Sequence, residues 1–410
     1  MDDKLTQAEQ TDTPGTGTAG RSALLGAMFL MATSAIGPGF ITQTTDFTMK
    51  MGAAFAFVIV TSVLVDIAVQ LNVWRVIGVS GLRANELTNR IVPGLGWGLS
   101  ALVLLGGIVF NIGNISGTGL GTDAMFGLEP KIGAMISAVI AIAIFLVKRA
   151  GAALDRIVVI LGVVMIALTT WIAVTSHPPV GLALKNAVLP ESINFLAITT
   201  LIGGTVGGYI TYAGAHRLVD SGRVGRRHAT EISKTSVIGV LVTGVMRAIL
   251  FLAVLGVVHA GATLAADNPS ASAFQYAAGE FGLRAFGIIF WAAALTSVIG
   301  ASYTSISFLT TQRTSERTRD LATVAFIVLC SVLFLLLGKA PVKLLIFAGG
   351  FNGLILPIGF TAILWVAWRR RDLLHGYVYP KWLLSIGVLA WLLTLFLGWE
   401  SIAGLQKLWG

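Results

Sequence analysis

Long apolar stretches recur along the whole chain and limit what it can fold into. Eleven of them have about the 20 residues that an α-helix needs to cross a bilayer. They lie near 22–49, 53–77, 95–119, 132–148, 152–175, 194–220, 234–260, 283–310, 320–338, 342–368 and 382–402. Only 11% of the 410 residues are charged, against about 25% in soluble domains. The sequence therefore predicts an all-α integral membrane protein with about 11 transmembrane helices.

Lysine and arginine are distributed unevenly over the loops between these stretches. If the N-terminus is inside, twenty of the 28 basic residues fall in the N-terminal segment and inner loops, and seven fall outside. Inner loops of membrane proteins collect positive charge. The pattern predicts a plasma (inner) membrane protein with a cytoplasmic N-terminus and its C-terminus outside. It also accounts for the net charge of +9 without a nucleic-acid partner.

Two of the apolar stretches carry helix-breaking residues near their middle. The first contains Gly37-Pro38-Gly39, within SAIGPGFITQTTDF, and the sixth contains GGTVGG at 203–208. Unpaired backbone groups cost several kcal/mol in hydrocarbon, so such breaks persist only inside protein or beside a cavity. Glycine-interrupted spans at matching positions of two halves indicate the substrate site of an inverted-repeat transporter. The alternative is that these glycines only let helices pack closely.

The positions of the two breaks, five spans apart, also predict the domain organisation. We expect one repeat over 22–175, a second over 194–368 and an additional helix at 382–402, all within a single transmembrane domain, 21–410. Residues 1–20 are rich in Thr, Gly and acidic groups and lack the basic start of a signal peptide. They are expected to form a disordered cytoplasmic tail.

With these breaks the chain resembles the NRAMP family of proton-coupled metal transporters and, in its GPGFITQT segment, the YcsG-like branch of that family. The resemblance extends over nearly all eleven spans and implies the LeuT fold. In the family, the unwound segments Asp-Pro-Gly-Asn and Met-Pro-His-Asn supply ligands to a divalent metal. They fall here on GPGF at 37–40 and GGYI at 207–210. The breaks are kept, but each metal-ligating side chain is replaced.

These replacements change the chemistry expected at the breaks. A divalent cation needs carboxylates or soft ligands to repay its lost water, whereas the free N–H groups that begin a half-helix attract anions. The residues near the breaks offer neutral hydrogen-bonding groups and no carboxylate. We therefore predict that they bind a small carboxylate and hold no metal. The candidates are Gly37, Gly39, Phe40, Thr42, Gln43, Thr44, Thr205, Gly207, Gly208, Tyr209, Tyr212 and Asn352.

Each polar candidate also has a purely structural interpretation. An amide such as Gln43 is costly in hydrocarbon unless it faces a polar cavity, whereas Tyr209 can simply bury its ring. Threonines can bond the backbone of their own helix without functional gain. Asn352, beside a glycine cluster of the tenth span, can serve to hold two helices together.

Charged side chains inside spans are rare and usually face a substrate pathway. The candidates for coupling are Asp46, Asp66, Arg247 and His216. Arg247 can pair with a substrate carboxylate or with Asp66, and a structural ion pair is the alternative. His216 titrates near neutral pH and can carry a proton, unless it is a solvated histidine at the membrane edge. The resemblance places Gly214, and not His216, at the position where the family has a histidine.

The sequence favours a secondary transporter that imports a small organic anion, a carboxylate or amino-acid derivative, together with protons. The resemblance makes 5-oxoproline a candidate substrate. An NRAMP-type Mg²⁺ or Mn²⁺ transporter is the main alternative, and a sensor without transport is a third. No cofactor is expected. The chain has no GxxxxGK[ST] motif and its histidines are scattered singly, which argues against ATP-driven transport and against an enzyme.

Overall fold

The computed structural model describes residues 24–28, 31–32, 34–310, 314–337 and 341–407. The predicted tail, 1–20, lies outside this part of the chain. Residues 24–28, 31–32 and 34–35 are helical. The further helices are Pro38–Met51, Phe55–Ser80, Ala84–Ile91, Leu95–Phe126, Pro130–Leu146, Lys148–Thr175, Val180–Val188, Phe195–Thr205, Ile210–Asp220, Ala229–His259, Pro269–Ser307, Glu316–Leu337, Pro341–Arg369 and Lys381–Lys407, with 3₁₀ turns at Gly52–Ala54 and Arg226–His228. The prediction of an all-helical membrane protein is confirmed, and each of the eleven predicted spans is mostly helical over its described residues, apart from the two breaks and a few residues at span ends.

Length and apolar composition identify eight of the described helical segments as membrane spans, or nine when the bent pair Gly162–Thr175 and Val180–Val188 is one span. With the bent pair counted, the number is nine, below eleven for two reasons. The segment Pro38–Ser80 joins the second half of the first predicted span to the whole second span across Gly52–Ala54. The fourth predicted span, Pro130–Leu146, is apolar but shorter than the others.

Three helical segments extend beyond what the apolar pattern predicts. Ala84–Ile91 and Val180–Val188 are short helices between spans. The helix of the eighth predicted span, Pro269–Ser307, is called the eighth helix below; it begins fourteen residues before the predicted start. That early start has a local cause, because the Asn268 side chain accepts the N–H of Ala271 and proline occupies the first helical position. The helix then bends at Ala278 and Gly279 before it enters the bundle.

Both predicted breaks are present. The first span bends at Ile36 and Gly37 and continues as a helix from Pro38, whose missing N–H costs nothing at the first helical position. The sixth span stops at Thr205 and resumes at Ile210, with Gly208 at φ +53° in the turn between them. The structure therefore places two unwound segments in the interior of the bundle.

Glycines let the sixth and tenth spans pack backbone against backbone beside the second break. A side chain on Gly203 would overlap the Gly349 carbonyl and the Gly353 amide of the tenth span. At Gly203 the close-packing interpretation is therefore correct, while Gly208 forms the break itself. This contact holds the tenth span next to the unwound segment of the sixth span, so that Asn352 of the tenth span faces the break.

Candidate substrate-binding site

The first break offers free backbone donors and no space for a larger residue at its start. Among the described residues, none accepts a hydrogen bond from the N–H of Gly39 or Phe40. A Cβ on Gly37 would lie 2.6 Å from Ser297 Oγ, so any side chain at this position would require Ser297 to shift. The half-helix begins at Pro38. Its free N–H groups favour a negatively charged ligand.

Arg247 of the seventh span lies directly beside this break. Its guanidinium carbon is 4.2 Å from the centre of the Phe40 ring, and the side chain is 2% exposed. Neither Nη1 nor Nη2 has a hydrogen-bond partner within the described part of the chain. A buried arginine without acceptors is costly, and the ring of Phe40 compensates only part of that cost. The arrangement leaves two charged donors at the break.

Asp66 of the second span lies on the side of the sixth-span break. It is close to the Thr205 hydroxyl and within electrostatic range of Arg247. Its Oδ1 nevertheless has no hydrogen-bond partner, like both Nη atoms of Arg247. Asp66 and Arg247 therefore interact electrostatically near the breaks without the hydrogen bonds of a closed ion pair.

Gln43 connects the first span to the sixth and tenth spans. Its Nε2 donates to the Leu345 carbonyl at 2.8 Å, and its Oε1 has no partner. A Cβ on Gly204 would lie 2.7 Å from this Oε1, so the oxygen faces the end of the first sixth-span half-helix. Because a carbonyl can only accept, the amide orientation is fixed and an acceptor is left at the break.

Asn352 plays the equivalent role from the tenth span. Its Nδ2 donates to the carbonyls of Gly106, at 3.1 Å, and Ala348, at 2.9 Å. Its Oδ1 is unpaired and lies against Gly208, where a Cβ would overlap it. The amide nitrogen holds helices together, as the structural interpretation expects, while the oxygen faces the break.

Tyr209 and Asn114 lie between the two breaks. Tyr209 is fully buried, its ring packs edge-on against Phe110 at 5.6 Å, and its hydroxyl faces the Asn114 side chain. Asn114 Oδ1 is 3.6 Å from the position of a Cβ on Gly37. Asn114 was not among the site residues predicted from the sequence. The pair Asn111 and Asn114 could have indicated it, because these are two amides one turn apart in an apolar span, where polar residues are rare.

The threonine candidates mostly bond their own helices. Thr44 Oγ1 donates to the Phe40 carbonyl at 2.7 Å, and Thr205 Oγ1 donates to the Leu201 carbonyl at 2.9 Å. Thr42 is buried in the same half-helix. Asp46 lies at the far end of that half-helix in an ion pair with Lys50 at 2.7 Å. The structure thus places Asp46 away from Asp66 and Arg247, beside a cation of its own.

Tyr212 and His216 lie one turn apart on the second sixth-span half-helix, Tyr212 near its start and His216 past its middle. The interpretation of His216 as a solvated residue is wrong, because its ring is buried against Phe308 and Tyr212. Nε2 accepts the N–H of Ala84 at 3.2 Å, so Nδ1 carries the proton that faces Ser307 Oγ at 3.1 Å. The fold buries the imidazole because the loop before Ala84–Ile91 covers it.

Arg83 lies at the C-terminal end of this half-helix, beside Asp220. It was not among the predicted site residues, because a loop arginine looks like an ordinary signal of membrane topology. It is 1% exposed and donates to the carbonyls of Ser307, at 2.9 Å, and Thr310, at 2.8 Å. Its second Nη is 2.6 Å from Asp220 Oδ1. Arg83 therefore ties the sixth span to the end of the eighth helix.

No group of three or more His, Cys, Asp or Glu side chains that could hold a metal ion occurs in the described part of the chain. Around the breaks the side-chain groups are amides, a phenol, hydroxyls, one guanidinium and, contrary to the expectation of no carboxylate there, Asp66. Such a set provides acceptors and donors for a polar organic solute.

The family model for natural resistance-associated macrophage protein-like (Nramp) proteins matches residues 28–404. The chain belongs to the Nramp family. Two relatives are uncharacterized membrane proteins. YcsG of Bacillus subtilis (strain 168) is 49% identical over 404 residues, which are 98% of this chain and 99% of YcsG. A protein of Haemophilus influenzae (strain ATCC 51907 / DSM 11121 / KW20 / Rd) is 50% identical over 368 residues, 90% of this chain and 92% of its own.

Solved structures share the fold of this Nramp-family chain at low sequence identity. The manganese transporter of Eremococcus coleocola, in complex with an aromatic bis-isothiourea substituted compound, matches with a TM-score of 0.75 at 16% identity, over 98% of this chain and 91% of its own. MhsT in complex with L-phenylalanine matches with a TM-score of 0.67 at 17% identity, over 92% of this chain and 98% of its own. The predicted LeuT-type fold with two broken helices is thereby confirmed, and the Nramp chain is a secondary transporter.

Proposed function

We propose that this Nramp-family transporter imports a small organic anion, a carboxylate or amino-acid derivative, rather than a metal ion. The observation that carries the proposal is the buried Arg247 guanidinium, with both Nη groups unpaired, over Phe40. A carboxylate is planar and accepts two parallel N–H bonds from such a group. The free N–H groups of Gly39 and Phe40 lie on the same turn and support the same charge.

The branch resemblance makes 5-oxoproline the first candidate substrate. It joins one carboxylate to one ring amide, and the side chains around the breaks leave buried amide atoms unpaired that can bind such a group. We further propose that protons drive uptake and that Asp66 carries the proton, because this carboxylate faces Arg247 without a closed ion pair. Asp46, already paired with Lys50, is the weaker candidate for coupling.

We place the protein in the plasma membrane with its N-terminus in the cytoplasm and its C-terminus outside. The distribution of basic residues supports this orientation. It puts the Arg83–Asp220 pair on the cytoplasmic side and the Asp46–Lys50 pair on the outer side.

The purified transporter in proteoliposomes tests this function. Under an inward proton gradient, labelled 5-oxoproline should accumulate above its equilibrium level, and unlabelled small carboxylates should compete, whereas Mn²⁺ should not. The matched variant Asp66→Asn should retain exchange of labelled for unlabelled substrate but lose gradient-driven accumulation, since it removes the ionisable group and keeps the shape. The proposal is wrong if no small carboxylate enters while Mn²⁺ or Mg²⁺ does.

Divalent metal transport is the second candidate, favoured by the shared fold with a manganese transporter. It would require a hydrated ion, because the described residues at the breaks provide neutral oxygens and a single carboxylate, Asp66, beside a positive charge. Titration calorimetry with Mn²⁺ and Mg²⁺ separates the two candidates. A saturable heat of metal binding that disappears in the variant Gln43→Leu would favour metal transport.

A further inference from the structure

Asn114 is the feature of the site that the carboxylate proposal leaves unused. Of the side-chain amides that the structure describes, it alone has both its nitrogen and its oxygen buried without a hydrogen-bond partner. Gln43 and Asn352 differ, because their nitrogens are occupied by backbone carbonyls. An amide buried with its hydrogen bonds unmade carries the full cost of its lost water. Such an amide indicates a ligand that forms these missing hydrogen bonds.

The position of Asn114 fits that role. Its Oδ1 is 3.6 Å from the position of a Cβ on Gly37, and its side chain faces the Tyr209 hydroxyl. It therefore touches the start of one half-helix and the end of the other break. None of these neighbours takes up its donor or acceptor capacity.

Asn114 also lies within reach of a molecule that binds Arg247. Gly37, beside Asn114, and Phe40, beneath Arg247, are three residues apart on one helix, which is about 4.5 Å along its axis. The guanidinium and the amide thus flank the same helical turn. One small molecule can bridge them if it carries an anionic group at one end and a neutral polar group at the other.

We infer that Asn114 selects substrates that carry an amide edge in addition to the carboxylate. An amide edge presents one N–H donor and one C=O acceptor side by side, and Asn114 provides the complementary acceptor and donor. Two parallel hydrogen bonds then form, and both buried atoms of Asn114 are satisfied. This inference rests on the proposed function and narrows it from carboxylates in general to amide-bearing carboxylates, including cyclic ones.

A pair of substrates that differ in one group tests the inference. The first is 5-oxoproline, a five-membered lactam carboxylate; the second is the cyclopentanone carboxylate in which a methylene group replaces the ring N–H. Uptake by the wild-type transporter should favour the lactam by about 10-fold or more, because the ketone leaves Asn114 Oδ1 unpaired. In Asn114→Leu this preference should disappear through a raised KM for the lactam.

Thr118→Val provides a matched control on the same span. Thr118 is equally buried, but its hydroxyl donates to the Ile115 carbonyl at 2.7 Å, so its loss should leave the preference intact. Asn114→Ala serves as a second variant if the leucine side chain prevents folding. The wild-type comparison needs no variant.

The outcomes separate this inference from the proposed function. If wild-type protein takes up both acids equally, or if Asn114→Leu keeps the preference for the lactam, the assignment to Asn114 is overturned while carboxylate transport stands. If neither acid nor any other small carboxylate enters, the proposed function itself fails.

Discussion

Replacing Arg247 by methionine should lower kcat/KM for carboxylate uptake by at least about 100-fold. The change keeps most of the apolar stem over Phe40 and removes the two unpaired Nη donors. Charge-assisted hydrogen bonds contribute about 1.5–3 kcal/mol each, and two of them hold a carboxylate in one plane. Arg247→Lys should recover only part of the activity, since an ammonium cannot form the same two-pronged contact. Labelled uptake over a range of concentrations measures the effect.

A structural role for Arg247 predicts a different pattern. If the guanidinium only balances the charge of Asp66, the double variant Arg247→Met with Asp66→Asn should recover uptake by exchange, because no unbalanced charge remains. If Arg247 binds the substrate, the double variant stays inactive. Size-exclusion profiles of the purified variants show whether each one is still folded.

Replacing Gly208 by alanine should abolish uptake and lower the melting temperature markedly. Gly208 has φ +53°, and a Cβ there would overlap Asn352 Oδ1. The backbone conformation alone costs about 1–2 kcal/mol for a residue with a Cβ, and the overlap adds about 1–3 kcal/mol of overpacking. The unwound segment then has to move away from the tenth span, which disrupts the site.

Gly52 provides the control for this variant. It has nearly the same φ, +54°, but no atom lies within 4 Å of its Cβ position. Gly52→Ala therefore carries the conformational cost without the overlap and should retain most of the uptake. Adding Asn352→Ala to Gly208→Ala should restore part of the thermal stability. Equal behaviour of Gly208→Ala and Gly52→Ala would show that the contact with Asn352 is unimportant.

The spans and both breaks could be predicted because their signals are local. Twenty apolar residues predict a span wherever they occur, and Gly37-Pro38-Gly39 weakens a helix whatever surrounds it. The early start of the eighth helix also had a local signal, Asn268 followed by Pro269, but the apolar pattern does not include caps. The glycines of the sixth span serve both close helix packing, at Gly203, and the break itself, at Gly208. Their spacing alone does not show which glycine has which role.

The arrangement of the site could not be predicted, because it depends on contacts between distant parts of the chain. The sequence identifies Arg247 as unusual, but only the fold brings it over Phe40, some two hundred residues away. In the same way Asn114 acquires its meaning from Gly37 and Tyr209, which belong to two other spans. The burial of His216 depends on Ala84 and on Phe308 of the eighth helix.

The central claim is that the two breaks keep the architecture of a metal transporter and bind an anion instead. A structure of the purified protein with 5-oxoproline, compared with one prepared in Mn²⁺, tests it most directly. We expect planar density between the breaks, with its carboxylate oxygens about 2.7–3.0 Å from the Nη atoms of Arg247. Mn²⁺ should give no anomalous peak at that position. A compact anomalous peak ringed by oxygens at the breaks, with no density for the acid, would contradict the claim.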